Sequence, residues 1–494
     1  MVHIGFDNEL YLKLQSEHIR RRIGDFGGKL YLEFGGKLFD DYHASRVLPG
    51  FAPDSKVRML QQLATDVEIV IAIAAGDIEK NKIRGDLGIP YDEDVLRLID
   101  SFHSLGLYVG SVVITRWEGQ VAAQAFRRRL ETLGVRCFLH YPIPGYPSDV
   151  DRIVSDEGLG ENDYIETTRS LVVVTAPGPG SGKMATCLSQ LYHENQRGVQ
   201  AGYAKFETFP IWNLPLKHPV NLAYEAATAD LSDVNMIDPF HLEAYGTTAV
   251  NYNRDVEIFP VLDAMFRRLQ GTSPYKSPTD MGVNQAGNCI VDDEACRFAS
   301  RREILRRFYA AEADEARGRG DAETVRKLKL LMNQADVTPE LCPAVGAALA
   351  KAEATGAPAG AMELSDGRII TGKTSATLGA ASALLLNALK ALGGIGDQFE
   401  LISSQVLEPV CCLKTEYLAH RNPRLHTDEV LLALTISALT NPLAELAQQQ
   451  LPKLRDAEAH FTVILSPVDE QLLRRLGIQV SCEPKFGSGK LYHK

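Results

Sequence analysis

The chain of 494 residues is long enough for about three domains of ~150 residues each. Its composition, 45% hydrophobic and 23% charged, is that of an ordinary globular protein and argues against a disordered or fibrous one. The net charge of −11 disfavours a general nucleic-acid binder, because neutralising phosphates supplies most of the non-specific affinity. The longest apolar runs, such as residues 69–75, fall far short of a membrane span, and residues 1–9 lack a secretory pattern. We therefore expect a cytoplasmic protein without membrane or nucleic-acid partners.

The eight cysteines include no pair at the two-residue spacing of zinc or redox motifs. No histidine or cysteine cluster stands at metal-ligand spacing either. We expect reduced, mostly buried thiols and no metal site.

Residues 1–290 alternate strand and helix signals in chain order. Strands are predicted over residues 29–34, 68–75, 108–115, 135–140, 171–175 and 203–209. Helices are predicted over residues 55–63, 120–133, 184–195 and 256–269. Because β-α-β order repeats, we predict an α/β domain with a largely parallel sheet and helices over its faces.

The second half of the chain predicts two further domains. Residues 291–355 carry mostly helix formers and predict a small helical subdomain, and residues 354–361, rich in Ala and Gly, predict a linker. The turn Ser365-Asp366-Gly367 predicts a hairpin, which opens a C-terminal α/β domain over residues 356–494. Its remaining predicted elements are helices over 375–392, 429–440 and 469–476, and strands over 461–465 and 479–482.

One segment satisfies the phosphate-loop pattern G-x-x-x-x-G-K-[S/T] literally, namely residues 367–374. A phosphate cradle needs glycines that turn successive backbone amides inward, whereas residues 368–371 form a β-branched run typical of a strand. We interpret this segment as the second strand of a hairpin and not as a phosphate site.

A second segment, residues 176–184, departs from the pattern twice but has the right context. Pro177 replaces the first glycine and Met184 replaces the Ser or Thr, yet a buried-type strand leads in and a helix follows. This arrangement directs amides and the positive end of a helix at an anion, with Lys183 as the counter-charge. We predict a phosphate or nucleotide site here, and a tight structural turn is the alternative. The predicted site residues are Gly178, Gly180, Ser181, Gly182, Lys183 and Thr186.

The departures from the pattern bear on chemistry. Met184 lacks the hydroxyl that ligates Mg²⁺ in such loops, and the nearest replacements are Ser181 and Thr186. Glu207, near the end of the next strand, is a candidate proton-transfer or metal-holding carboxylate, and a solvent-facing strand residue fits it equally well. Asp238 and His241 are weaker candidates, since their segment is typical of a capped helix start.

Two further segments are weak binding candidates. The loop at residues 277–288 has the polar composition of a ligand-contacting segment, although an ordinary turn explains it too. Gly35, Gly36 and Lys37 follow the first strand and form a second anion candidate, with a turn as the simpler interpretation.

The chain as a whole resembles a known family. Residues 178–183, 224–230 and 422–429 are similar to segments of an uncharacterised family of bacterial cytoplasmic proteins of about this length, known as a domain of unknown function. The resemblance covers essentially the full chain. Because no activity is established for that family, the resemblance implies no catalytic residue.

The C-terminal domain resembles the cytidine-deaminase fold in its hairpin, its long helix, and residues 461–467 with the short helix behind them. Zinc deaminases of that fold carry Cys-x-x-Cys after the proline and a His-x-Glu upstream. Here Pro467 is followed by Val-Asp-Glu-Gln, so the thiolates are missing. The resemblance therefore implies a metal-free domain that cannot deaminate by that route.

Together these features predict a protein that binds a nucleotide or another small anionic phosphate ligand. Phosphoryl transfer is the candidate reaction, a nucleotide with Mg²⁺ is the candidate cofactor, and a homo-oligomer is the candidate assembly. The alternative is a non-catalytic assembly or ligand-sensing protein in which residues 178–183, the glycine loop, form only a structural turn. The sequence does not decide between an enzyme and a binding protein.

Overall fold

The computed structural model describes residues 4–36, 38–39, 41–84, 87–231 and 233–487. The chain divides into two compact units. The N-terminal unit consists of Ile4–Glu225 with Ser232–Arg297, and the C-terminal unit consists of Ala226–Leu231 with the residues from Phe298 onward. Among the described residues, no helix combines the length and the apolar character that crossing a bilayer requires.

The N-terminal unit contains ten strands and twelve α-helices among its described residues. The strands are β1 (Leu30–Phe34), β2 (Val67–Ala74), β3 (Ile83–Arg84), β4 (Ile89–Pro90), β5 (Tyr108–Thr115), β6 (Cys137–Leu139), β7 (Leu171–Thr175), β8 (Gly202–Phe206), β9 (Asn235–Ile237) and β10 (Val250–Tyr252). The helices are α1 (Asn8–Asp25), α2 (Tyr42–Val47), α3 (Ser55–Gln62), α4 (Ala75–Glu79), α5 (Tyr91–Ser104), α6 (Val121–Thr132), α7 (Val150–Ile153), α8 (Lys183–Gln196), α9 (Pro219–Ala227), α10 (Pro239–Tyr245), α11 (Asn253–Gln270) and α12 (Pro278–Met281).

Six of these strands form one parallel sheet in the order β6-β5-β2-β7-β1-β8. Every residue of β1, β2 and β7 is buried, which is why their sequences are nearly continuous apolar runs. Pairs β3–β4 and β9–β10 form two small antiparallel sheets. The predicted α/β architecture with a largely parallel sheet is confirmed.

The strand order reverses direction between β2 and β7. From β2 the chain continues to β5 on one side, whereas from β7 it continues through α8 to β8 on the other side. In open α/β sheets, ligands bind in the crevice outside the carboxyl ends of the strands at such a reversal. The glycine loop follows β7 at this place in the sheet.

The C-terminal unit is built around a four-stranded mixed sheet. Its elements are α13 (Asp293–Ala316), α14 (Ala322–Gln334), α15 (Pro343–Thr355), β11 (Ala359–Glu363), β12 (Ile369–Lys373), α16 (Ala380–Gly393), α17 (Ser404–Cys412), α18 (Thr427–Ala438), α19 (Pro442–Gln448), β13 (Glu458–Phe461), α20 (Pro467–Arg475) and β14 (Gln479–Cys482). The strand order is β12-β11-β13-β14, with β11 antiparallel to both neighbours and β13 parallel to β14. The predicted order of hairpin, helices, strand, helix and strand is confirmed, but the strand predicted over residues 461–465 is misplaced, because β13 ends at Phe461. The helices predicted over residues 291–355 are present as α13, α14 and α15, and from Phe298 onward they belong to this unit.

The linker predicted over residues 354–361 is wrong. Residues from Ala359 onward form β11, an inner strand of the sheet, and Ala359 and Ala361 are fully buried. The small residues serve close packing there, since a Cβ on Gly360 would lie 2.5 Å from the ring of Phe461. Flexibility and tight packing select the same residue types, and the composition alone did not separate them.

The literal phosphate-loop pattern lies in the hairpin, as predicted. Its residues Ile369–Lys373 form β12. A Cβ on Gly372 would lie 2.3 Å from the backbone nitrogen of Leu384, so this glycine permits α16 to approach the strand. The glycine and lysine of this pattern therefore belong to a packed strand.

Candidate functional site

The glycine loop joins β7 to the 14-residue helix α8. Gly182 is the N-cap of α8 with φ of 85°, and Gly180 has φ of 73°. Both values lie in the left-handed region, where glycine carries no steric cost. Gly178 is required for a different reason, because a Cβ there would lie 2.2 Å from the hydroxyl of Tyr91. Three glycines thus give the loop its path.

Four carbonyl groups of the loop are bonded to protein. The Ser181 hydroxyl donates to the Gly178 carbonyl at 2.7 Å, and the Thr186 hydroxyl donates to the Gly182 carbonyl at 3.0 Å. Side chains at the end of β5 hold the other two. Thr115, the last residue of β5, donates to the Ser181 carbonyl at 2.8 Å, and the guanidinium of the next residue, Arg116, donates to the Gly180 carbonyl. All four carbonyl oxygens therefore have partners within the protein.

The amides at the start of α8 lack such partners. Within the part of the chain that the structure describes, the amides of residues 182–185 donate to no protein acceptor, and α8 has no side-chain cap. The first bond of the helix is from the Thr186 amide to the Gly182 carbonyl, at 2.9 Å. Free amides at the positive end of a helix form an anion-binding arrangement.

Lys183 stands at the same end of α8 and is half-buried. Among the described residues its ammonium forms no ion pair with a carboxylate. Burial raises the pKa of the Cys187 thiol well above its usual range, the Glu33 carboxylate raises it further, and the charge of Lys183 opposes both. Lys183 and Glu33 therefore both act on the first turns of α8.

A buried cluster of charged side chains lies at the carboxyl ends of β1 and β8. Tyr203, Lys205 and Glu207 alternate along β8 and its end, so they point to one face, and Glu33 of β1 is paired with Lys205. This is the face on which α8 and α11 pack. The Lys205 ammonium lies 2.6 and 2.8 Å from the two Asp255 oxygens and 3.3 Å from Glu207 Oε1.

The cluster separates the proton affinities of its members. Burial raises the pKa of Glu207 from its usual 4.5 to about 7, Lys205 opposes the shift, and the charges of Asp255 and Glu33 add to it. Burial alone would lower the pKa of Lys205, but Asp255, Glu207 and Glu33 raise it above its usual value. Lys205 therefore stays charged, while Glu207 titrates near neutral pH, where a general acid or base is most effective.

Glu207 borders an open cavity with about 430 Å³ free of protein atoms, part of it continuous with solvent, and 29% of the Glu207 side-chain surface is accessible. Three aromatic side chains and several polar groups line this space beside the charged cluster. The lining residues are Lys205, Glu207, Phe209, Pro210, Trp212, Val250, Asn251, Tyr252, Asp255, Pro278, Thr279, Gly282 and Asn284. Four of them belong to the loop predicted as ligand-contacting, residues 277–288.

Asp238 and His241 form a capped helix start. Asp238 Oδ1 accepts from the amides of Phe240 and His241, each at 3.0 Å, and Asp238 Oδ2 accepts from the Thr279 hydroxyl at 2.6 Å. His241 Nδ1 lies 3.2 Å from the Ser277 hydroxyl. The predicted cap is confirmed, and the Asp238 carboxylate is occupied in holding α10 and the loop of residues 277–288 together.

The weaker anion candidate at the end of β1 has a different geometry from the glycine loop. The Gly35 amide donates to the Phe206 carbonyl at 2.8 Å, so it continues the sheet. A Cβ on Gly35 would lie 2.5 Å from the Glu207 side chain, which shows that this glycine makes room for the carboxylate. Lys37 lies outside the described residues.

Five residues at the loop or in the charged cluster were not predicted from the sequence, namely Glu33, Lys205, Asp255, Tyr91 and Arg116. The alternation of Tyr203, Lys205 and Glu207 is a polar stripe along one face of a strand, and it was the signal available for Lys205. Arg116 has φ of 52°, a left-handed conformation rare for residues other than glycine, which no sequence pattern announces. The approach of Tyr91 to Gly178 and that of Asp255 to Lys205 depend on tertiary packing.

Comparison with known proteins identifies relatives of the whole chain. Residues 4–336 match the N-terminal model of the domain of unknown function DUF1846, and residues 340–492 match its C-terminal model. A UPF0371 protein of Streptococcus thermophilus strain CNRZ 1066 is 57% identical over 490 residues, which are 99% of each chain. A UPF0371 protein of Streptococcus pyogenes serotype M3 is 56% identical over 494 residues, which are 100% of each chain. The chain therefore belongs to the DUF1846 family of uncharacterised bacterial proteins.

Proposed function

We propose that the chain binds the phosphate group of a small molecule or nucleotide at residues 178–183 and that Glu207 moves a proton on the bound molecule. One observation carries the proposal: four of the loop carbonyls are bonded to protein, whereas the amides at the start of α8 are not. The loop is thereby polarised toward an anion, and Lys183 adds a positive charge beside it.

Phosphoryl transfer is the reaction class that this arrangement suits. Because the strand ends that carry the loop and Glu207 are about 10 Å apart, an acceptor hydroxyl would pass its proton to Glu207 through one bridging water as its oxygen bonds to phosphorus. The bond from phosphorus to the leaving oxygen would break, with the electron pair departing on that oxygen. The amides and Lys183 would stabilise the charge on the transferred group. The hydroxyls of Ser181 and Thr186, the candidate ligands of a Mg²⁺ that accompanies a nucleotide, already donate to loop carbonyls. Their oxygen lone pairs would be the groups left to hold the ion.

The test is binding of ATP, GTP and pyrophosphate, measured by calorimetry and thermal shift. We compare wild type with Lys183→Ala and use Lys373→Ala, from the literal pattern in β12, as the matched control. Wild type and the control are expected to bind at least one ligand equally, and Lys183→Ala to bind it about tenfold more weakly, or about 1.4 kcal/mol. The proposal is overturned if wild type binds none of the three, or if Lys183→Ala binds as wild type does.

Turnover separates the proposed reaction from the alternative. Formation of ADP or GDP together with a phosphorylated hydroxyl acceptor, lost in Glu207→Gln while binding is retained, supports phosphoryl transfer. Binding through Lys183 with no turnover by wild type instead favours the ligand-sensing role.

A further inference from the structure

We propose that the bound molecule is a phosphorylated sugar or nucleoside, with its phosphate on the glycine loop and its hydroxylated part in the cavity beside Glu207. This inference rests on the proposed function and names its substrate class. It is carried by the position of the cavity relative to the loop, by the charges at the two places, and by the lining of the cavity.

The loop and the cavity lie at the same edge of the sheet. The loop follows β7 and Glu207 follows β8, with β1 between these strands. At a strand spacing of about 4.8 Å, the ends of β7 and β8 are about 10 Å apart, which is the reach of a sugar phosphate or nucleotide. Glu33 on β1 links the two places, since its charge acts both on Cys187 of α8 and on Lys205 of the cavity.

The two places differ in charge. Lys183 and Arg116 stand at the loop, whereas the cavity holds the carboxylates of Glu207 and Asp255 around one lysine. Both Asp255 oxygens accept from the Lys205 ammonium, so Asp255 neutralises the charge of Lys205. An anionic group is therefore favoured at the loop and repelled in the cavity, which suits an uncharged group.

The cavity has the lining of a site for a hydroxylated ring. About 430 Å³ of space free of protein atoms, part of it open to solvent, adjoins the lining residues. Trp212, Phe209 and Tyr252 are the aromatic residues of this lining. Among the described residues, the donor that contacts the Glu207 carboxylate is the Lys205 ammonium, at 3.3 Å. The carboxylate therefore keeps oxygen lone pairs that can accept from a ligand hydroxyl.

Asn251 and Asn284 are less available to a ligand. The Asn251 side chain accepts from the Tyr252 amide at 2.8 Å, and the Asn284 side chain donates to the Thr208 carbonyl at 2.7 Å. Their bonds shape the wall of the cavity. Glu207 is therefore the group by which the cavity is expected to recognise a donor on the ligand.

Calorimetry with four probes tests the inference: inorganic phosphate, ribose 5-phosphate, adenosine monophosphate and 3-phosphoglycerate. We expect ribose 5-phosphate or adenosine monophosphate to bind at least tenfold more tightly than phosphate. 3-Phosphoglycerate, which carries a carboxylate, is expected to bind no more tightly than phosphate. Glu207→Gln should weaken the preferred probe several-fold and leave phosphate binding unchanged, with the exposed Glu243→Gln as control.

The outcomes separate the two proposals. If phosphate binds and neither hydroxylated probe binds more tightly, or if 3-phosphoglycerate gains as much as they do, the substrate class is wrong and the phosphate site stands. If none of the four probes binds to wild type, the phosphate site itself is wrong. Melting temperatures of the variants, measured beside wild type, confirm that each binding result refers to folded protein.

Discussion

Glu33 and Lys205 occupy paired positions on the adjacent parallel strands β1 and β8. The pair places one ammonium among three carboxylates, because Asp255 and Glu207 reach the same lysine from α11 and from the end of β8. A buried cluster with more carboxylates than cations is more stable when one carboxyl holds its proton than when all are ionised. Glu207 is the member that holds the proton, because its pKa is raised to about 7.

This raised pKa predicts how stability depends on pH. Between the usual pKa of 4.5 and the folded pKa of about 7, the folded chain holds more protons than the unfolded chain. Stability contributed by Glu207 is therefore lost as pH rises through this window. Glu207→Gln stays neutral, so wild type should lose about 3 kcal/mol relative to the variant across the window.

Urea unfolding of wild type and Glu207→Gln at pH 4.5, 5.5, 6.5 and 7.5 measures this difference. The highest of these pH values lies about half a unit above the window. The exposed Glu243→Gln serves as the control and should follow wild type. Parallel stability curves for wild type and Glu207→Gln would show that Glu207 ionises normally in the folded protein.

Lys205→Met should be strongly destabilising. The substitution leaves Asp255 and Glu33 as buried carboxylates without their cation, and breaking such a pair costs about 3–5 kcal/mol. Adding Asp255→Leu removes one uncompensated charge, so the double variant should lose less than the sum of the single variants. Arg267→Met breaks the exposed pair with Asp263 and should change stability little.

Chemical denaturation of the four variants near neutral pH provides the free energies for this comparison. Strict additivity of Lys205→Met and Asp255→Leu would mean that the two side chains are not coupled.

Gly178→Ala should disturb the loop. The added Cβ would lie 2.2 Å from the Tyr91 hydroxyl, and overpacking of this kind costs about 1–3 kcal/mol. Pyrophosphate binding should weaken with it, because the displaced loop no longer directs its amides. Gly76→Ala, in α4 with nothing near its Cβ, is the matched control and should leave both stability and binding intact. Calorimetry and thermal unfolding of both variants check this; unchanged affinity in Gly178→Ala would contradict it.

Asp238→Ala should lower stability without affecting the phosphate site. The variant loses the cap of α10 and the bond to Thr279, and loss of a cap costs about 0.5–2 kcal/mol. Thermal unfolding should show the loss, and pyrophosphate affinity at a temperature well below unfolding should equal that of wild type. A lost affinity in folded Asp238→Ala would assign this carboxylate to the binding site.

Much of the fold follows from local sequence patterns. The apolar runs of β2, β5 and β7 are long enough to specify buried parallel strands, and the predicted bounds 108–115 and 171–175 are those of the structure. The helix α1 was missed because its apolar residues are sparse, and its buried side chains, such as Tyr11 and Ile19, depend on packing. Segment 354–361 shows the limit of composition, since its small residues fill a strand.

The site was predictable in part. The glycines after β7 indicated the loop because its backbone conformation itself requires glycine. The partners that hold its carbonyls, Thr115 and Arg116, come from a strand two positions away in the sheet. Glu207 was a weak candidate from the sequence, and its raised pKa arises from burial and from Asp255, which is far away in the chain. Such juxtapositions follow from topology and not from spacing.

If the amides at the start of α8 hold a phosphate group, a bound phosphate must protect them from exchange with solvent. Hydrogen–deuterium exchange of the peptide covering residues 178–188, with and without pyrophosphate, measures this protection. We expect slower exchange in this peptide when pyrophosphate is present, and no such slowing in Lys183→Ala at the same concentration. Exchange that is unchanged by saturating pyrophosphate in wild type would show that these amides hold no phosphate.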